Sequence, residues 1–368
     1  VRWYVLHFEY ETFFIPESIT PFCLLRRAVQ HERIAVRVVY PLSSGDIPLV
    51  SLNDNLVSLQ SPMRILFYDH NTKLEPWLAG LRAALPGAEV LPWEPGMQAA
   101  DYAVVWSPPQ ALVDEQPQLR ALFNMGAGVD ALLALRVPAQ TLIVRLDDAG
   151  MGVQMAEYVT HAVLRHVREF AAYEAAQRKG HWAYRRPLRP ADFPIGLMGL
   201  GVLGQRVARA LVGFDWPLMG WSRSAHDVPG VRCFHGPEGL HEFLAATRIL
   251  VCLLPLTPET RDILNRDTLG RLQPGAVLIH VARGGHLVEE DLLALLDEGH
   301  LAAATLDVFR TEPLPSDHPF WQHPKITVTP HMSARTLRDE TIAQIAHKIG
   351  ALQRGQAIAG VVQRARGY

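Results

Sequence analysis

The chain has 368 residues, 49% of them hydrophobic and 20% charged, a composition that leaves material for two cores and excludes disorder as the main state. Lys plus Arg number 35 against 37 Asp plus Glu, a net charge of −2, so no global charge recommends a nucleic-acid or anionic-membrane partner. No apolar run reaches the roughly 18 residues of a membrane-spanning helix, and Cys23, Cys233 and Cys252 are too far apart for a disulfide framework or a zinc motif, which suits a reducing cytoplasm.

Residues 1–62 show no clear period and carry prolines at 16, 21, 41, 48 and 62. They lack the basic and apolar regions of a secretory signal. The first methionine, Met63, opens an apolar run that reads as the first strand of a domain. Residues 1–62 are either a small accessory segment or an extension from an over-called start, with the protein proper beginning at Met63; the second is expected.

From Met63 onward, short apolar runs alternate with helical stretches. Strands are expected at 65–68, 102–106 and 142–145, with a helix at 77–85 between the first two. This is βαβ grammar, which implies a parallel sheet with helices on its faces. One long helix is expected over 154–178, with Ala156, Val159, Val163 and Val167 on one face. A proline-bearing break at 185–194 leads into a second α/β unit. Its strands are expected at 195–198, 218–221, 249–254, 276–281, 303–307 and 326–329, with a helix at 288–298. The last helix, 336–354, has Ile342, Ile345, Ile349 and Leu352 on one face and could return the chain to the first domain.

The motif Gly199-Leu200-Gly201-Val202-Leu203-Gly204 follows a strand and opens a helix. That setting makes it a dinucleotide fingerprint. Gly199 allows the tight turn, Gly201 the approach of a pyrophosphate, and Gly204 close helix–strand packing. The helix N-terminus at Val202 and Leu203 offers unpaired N–H groups to the phosphates. The next strand ends in Ser222-Arg223-Ser224, with no carboxylate for the ribose hydroxyls. An arginine that can fork onto a 2′-phosphate makes NADP(H) the preferred cofactor and NAD(H) the alternative.

A dinucleotide site implies hydride transfer, and carbonyl reduction needs a proton donor and an electrophile near the oxygen. Arg283, Glu312 and His331 each follow an expected strand of the second unit, where ligands of open parallel sheets bind. A histidine held by a glutamate keeps one tautomer and can donate a proton near neutrality. An arginine can bind a carboxylate bidentately. Pairs such as His161 with His166, or His318 with His323, have no evident ligand partners, so no metal is expected.

With these residues, the chain resembles the D-2-hydroxyacid dehydrogenase family over nearly all of 63–368. The resemblance rests on Gly126-Ala127-Gly128-Val129-Asp130, the glycine fingerprint, Leu254-Pro255-Leu256-Thr257-Pro258-Glu259-Thr260, Ala282-Arg283-Gly284, Leu306-Asp307-Val308-Phe309 through Glu312-Pro313-Leu314, and Thr329-Pro330-His331. It implies a fold of two Rossmann-like or flavodoxin-like lobes with parallel sheets and an active site in the cleft between them. The substrate-side lobe would be 63–160 plus 341–368, and the dinucleotide lobe 161–340. His331 would be the general acid, Glu312 its orienting partner, and Arg283 the group that binds and polarises the keto acid. The Ala127-Gly128 turn would bind the carboxylate and Trp106 would shape the substrate pocket. Met151, Leu254, Pro255, Ala282 and Asp307 would lie along the cofactor. The implied reaction is NADPH-dependent reduction of glyoxylate or hydroxypyruvate, in a homodimer. Two rivals are a related dehydrogenase of the phosphoglycerate type and a dinucleotide-sensing binding protein on the same fold. His280 stands where this family often has asparagine.

Overall fold

The computed structural model describes residues 3–8, 11–16, 62–70 and 73–367. The expectation that 1–62 is an over-called start lies largely outside these residues. Two compact units are present, 1–60 and 61–368. In the first, β1 (Trp3–Phe8) pairs antiparallel with β2 (Glu11–Pro16), a hairpin that the sequence does not announce.

The second unit holds two parallel sheets. In chain order the first sheet region contains β3 (Arg64–Tyr68), α1 (Leu74–Ala84), β4 (Glu89–Pro92), β5 (Tyr102–Val105), α2 (Gln110–Glu115), β6 (Ala121–Asn124), α3 (Asp130–Leu133) and β7 (Leu142–Val144). Its strand order is β4-β3-β5-β6-β7, the flavodoxin-like arrangement. Successive strand residues point to opposite faces, so each strand supplies two cores. Ile65, Phe67, Val104 and Phe123 pack on one side, while Leu66, Ala103, Val105 and Leu122 pack on the other. Strands β4 and β6, of four residues each, are absent from the sequence reading.

Helix α4 (Met151–Val167) follows and then α5 (Phe170–Arg178). The single helix expected over 154–178 is therefore two. It breaks where Glu169 adopts φ 53°, a left-handed geometry that ends an α-helical ladder. Helix α4 also runs across the expected lobe boundary at residue 160. Its buried Met155, Val159 and Val163 pack with Ile195, Leu197 and Val207, so it belongs to the second core from its first turns.

The second sheet region contains β8 (Ile195–Met198), α6 (Val202–Leu211), β9 (Leu218–Ser222), β10 (Arg232–His235), α7 (Gly236–Ala246), β11 (Ile249–Cys252), α8 (Arg266–Gly270), β12 (Ala276–His280), α9 (Glu289–Asp297), β13 (Leu301–Leu306) and β14 (Ile326–Val328). The order is β10-β9-β8-β11-β12-β13-β14, Rossmann topology extended by one strand, which reverses direction of growth between β8 and β11. Ligands of such sheets bind at that switch point. The edge strand β10 has two polar residues of four and only Phe234 buried, which hid it from a hydrophobic pattern search.

Helix α10 (Arg338–Gln353) returns to the first sheet. Ile342, Ile345 and Ile349 share a core with Ile65, Leu78 and Leu81, as the expected apolar stripe requires. The helices α1 and α10 approach closely: a Cβ on Gly80 would come within 2.5 Å of Ile342 Cδ1.

Candidate active site

The glycine turn sits at the switch point. Gly199 has φ +113°, and a Cβ there would meet the Leu253 carbonyl at 2.9 Å. A Cβ on Gly204 would meet Gly199 O at 2.0 Å. At Gly201 the added atom meets nothing within 4 Å. It would instead fill open space in front of α6, whose N-terminus has no side-chain cap. This is a cradle that suits a pyrophosphate: space kept free by glycine beside uncapped helix N–H groups. Val202 is exposed and Leu203 half-buried on the first turn.

Strand β9 ends at buried Ser222, whose hydroxyl donates to Ser224 O at 2.8 Å. Arg223 and Ser224 are exposed beyond it. The guanidinium charge of Arg223 also reaches Glu259, whose carboxyl lies below its ordinary value chiefly through its bond with Thr257. Leu254, Ala282 and Met151 are buried, and the Pro255 carbonyl accepts from Thr260 Oγ1 at 2.7 Å.

The structure brings Glu312 and His331 together. His331 Nδ1 lies 2.7 Å from Glu312 Oε2, and Phe309 N–H donates to Glu312 Oε1 at 2.9 Å. Burial alone would raise the Glu312 carboxyl. The His331 bond, the Phe309 N–H and the charges of His331 and Arg283 outweigh it and hold the group below the usual carboxylate range. His331 itself sits at φ 49°. Its N–H donates to Asp307 O at 2.8 Å, which helps hold this uncommon backbone in place.

Asp307 is fully buried and turned toward this loop. Oδ1 accepts from Thr329 Oγ1 at 2.6 Å and Met332 N at 2.9 Å, and Oδ2 accepts from Ser333 N at 2.8 Å. The Thr329 hydroxyl also bonds Tyr158 on α4 at 2.5 Å. Burial above all pushes the Tyr158 phenol to about 12. Asp307 therefore caps the His331 loop, a role that competes with the cofactor contact expected of it.

Arg283 reaches from the end of β12 to the first sheet. Its Nε donates to Asp130 Oδ1 at 3.2 Å and its Nη1 to Ala282 O at 2.8 Å. Its other terminal nitrogen lies against the Ala127-Gly128 turn: a Cβ on Gly128 would be 1.8 Å from Nη2. Asn124 Nδ2 holds this turn by donating to Gly126 O at 3.1 Å and Gly128 O at 2.6 Å. Trp106 covers the same turn, since a Cβ on Gly126 would meet its ring at 2.6 Å. The carboxyl ends of β5, β6 and β12 thus converge on one place. The Asp130 and Asn124 contacts were not apparent from the sequence.

Behind Arg283, three further side chains meet that the sequence keeps apart. The ligand atoms of Cys252, His280 and His286 lie within 4.8 Å of one another, all buried. Burial raises the Cys252 thiol to about 12 and lowers His280 to about 3. The expectation of no metal rested on other histidine pairs. Of these, His166 bonds Thr305, His318 bonds Glu289 and His323 bonds Asp297.

Comparison with known proteins agrees with this geometry. Residues 160–333 match the family described as D-isomer specific 2-hydroxyacid dehydrogenase, NAD binding domain. The glyoxylate/hydroxypyruvate reductase A of Serratia proteamaculans is 47% identical over 313 residues, 83% of this chain and 100% of that protein. A D-isomer specific 2-hydroxyacid dehydrogenase from Xanthobacter autotrophicus, solved with NADPH and MES, is 38% identical with a TM-score of 0.79, covering 84% of this chain and 100% of that one. An NADPH-dependent glyoxylate/hydroxypyruvate reductase from Sinorhizobium meliloti, solved with NADP and sulfate, is 37% identical with a TM-score of 0.78, covering 83% and 100%.

Proposed function

The chain belongs to the D-isomer specific 2-hydroxyacid dehydrogenase family, and we propose that it reduces small 2-keto acids such as glyoxylate and hydroxypyruvate with NADP(H). The observation that carries this reading is the His331–Glu312 pair, 2.7 Å apart, in the same site as an arginine seated on a backbone turn. Gly199, Gly201 and Gly204, with the Val202-Leu203 turn of α6, would hold the pyrophosphate, and Ser222, Arg223 and Ser224 the adenosine phosphate. When bound, the dinucleotide supplies the hydride. His331 holds a proton at Nε2 for the substrate oxygen, and Glu312 accepts from Nδ1 and fixes the ring. Arg283 and the Ala127-Gly128 turn bind the carboxylate and polarise the carbonyl. Trp106 limits the size of the acid.

The absence of an acid after β9, and relatives solved with NADP(H), support NADPH over NADH. Phe170, Tyr173, Trp182, Tyr184 and Leu188 are exposed, Trp182 to 97%. These exposed apolar side chains within 170–188 support a homodimer, which light scattering checks. No described helix is long and apolar enough to cross a membrane, and Cys233 and Cys252 are free thiols; both support a cytoplasmic setting.

The test is steady-state oxidation of NADPH and NADH with glyoxylate, hydroxypyruvate and pyruvate, alongside His331→Ala. Turnover of the first two acids with NADPH, lost in His331→Ala while dinucleotide still binds, is expected. Preference for a phosphorylated acid, or binding without turnover, would replace this reading by the phosphoglycerate-type or sensing one.

A further inference from the structure

We propose that Cys252, His280 and His286 form a binding site for a thiophilic metal cation of the zinc(II) type. Strands β11 and β12 are parallel neighbours with Cys252 opposite His280 in register. The two side chains therefore share one face of the sheet. The turn after Arg283 brings His286 back beside them, its ring edge-on to His280 with centroids 5.7 Å apart. All three residues have no solvent exposure. Their ligand atoms lie within 4.8 Å of one another. A tetrahedral zinc with one sulfur and two nitrogen ligands needs donors roughly 3.5 Å apart, so side-chain shifts of about an ångström bring these three donors to that spacing.

The hydrogen bonds around the two rings favour a cation. His280 Nε2 lies 2.9 Å from Arg283 O, and His286 Nδ1 lies 2.8 Å from the same oxygen. His280 Nδ1 is buried without a hydrogen-bond partner. His286 Nε2 lies 3.2 Å from Pro255 O. A neutral imidazole carries one N–H and one lone pair. If both rings donate to Arg283 O, one lone pair is stranded at His280 Nδ1 and another faces the Pro255 carbonyl. If His286 donates to Pro255 instead, its Nδ1 lone pair faces Arg283 O. Neither tautomer satisfies every group. Metal-ligating histidines have the arrangement seen here, with the second ring nitrogen donating to a backbone carbonyl. Zinc would take one nitrogen of each ring and the Cys252 sulfur, with the Pro255 carbonyl oxygen, 3.2 Å from His286 Nε2, at hand for the fourth position. The S–H bond breaks as the metal–sulfur bond forms, the proton leaves to solvent, and no oxidation state changes.

The test uses the full-length protein, stripped with chelator and titrated with cobalt(II), then zinc(II). A thiolate-to-cobalt charge-transfer band, displaced by zinc, is expected. It should persist in Cys233→Ser, vanish in Cys252→Ala, and need at least about tenfold more cobalt in His280→Asn, since even outer-shell losses cost that much. Because the site is buried, zinc content is also measured on protein purified from zinc-supplemented cells. Thermal melting confirms that each variant is folded. A folded wild type with neither band nor zinc overturns the proposal, and so does a band or zinc content unchanged in Cys252→Ala.

Discussion

Replacing Gly128 by alanine should disable substrate binding without unfolding the protein. Gly128 is not in the left-handed region, so alanine is compatible with its backbone. The new Cβ, however, would lie 1.8 Å from Arg283 Nη2 and 2.8 Å from Cζ. Ordinary van der Waals contact begins at about 3.4 Å, so the guanidinium must retreat by about 1.6 Å or rotate off the turn. Its Nε bond to Asp130, at 3.2 Å, is already at the long end and offers little restraint. A misplacement of about 1 Å in a positioned group costs on the order of 10²-fold in rate, or about 2.7 kcal/mol of transition-state stabilisation. The assay is kcat/KM for glyoxylate with saturating NADPH, together with the NADPH dissociation constant and thermal midpoint. Efficiency should fall by about two orders of magnitude while the other two quantities stay near wild type. A folded variant with wild-type efficiency would refute the placement of Arg283 as substrate clamp.

Two further outcomes follow from the buried polar groups. Asp307→Asn sets an N–H₂ among three donors, Thr329 Oγ1, Met332 N and Ser333 N. It should destabilise the fold by about 2–3 kcal/mol and lower kcat with little change in NADPH affinity, whereas weakened NADPH binding would return Asp307 to a cofactor contact. His166 is lowered from 6.5 to about 4 by burial first and then by the charges of Arg165 and His161. With the folded value below the unfolded one, its contribution is intact above pH 6.5 and is lost as pH falls toward 4, an effect of about 3 kcal/mol. Urea denaturation at pH 7 and pH 4.5 should therefore lose less stability over that interval in His166→Gln than in wild type; equal losses would refute the buried neutral state.

The features legible in the sequence are those whose physics is local. The glycine fingerprint needs only a strand, a turn and a helix in succession. Arg283, Glu312 and His331 are found because each follows a strand, and in an open parallel sheet that places all three on one edge. The alternation of apolar residues gives the buried strands and the stripe on α10. What escapes depends on tertiary context. β6 lies in the interior of its sheet between β5 and β7, and β10 is a partly exposed edge strand with Arg232 and His235 among its four residues. Glu169 divides one helical pattern into two helices, although nothing in its spacing marks a break.

Sheet order does the rest, and it explains why the site can be built from such distant segments. Reversal of the strand order between β8 and β11 opens the crevice where Gly199 meets Leu253, so the fingerprint acquires a ligand space that its own residues do not create. The same order sets β11 beside β12, and this adjacency alone puts Cys252 opposite His280. Across the lobes, Arg283 gains its function only because β12 ends where β5 and β6 end. Each local motif therefore specifies a chemical capacity. The order of strands decides which capacities meet: His331 with Glu312 at the substrate, Asp307 with the loop that carries His331, and two imidazoles with the carbonyl of Arg283 behind it.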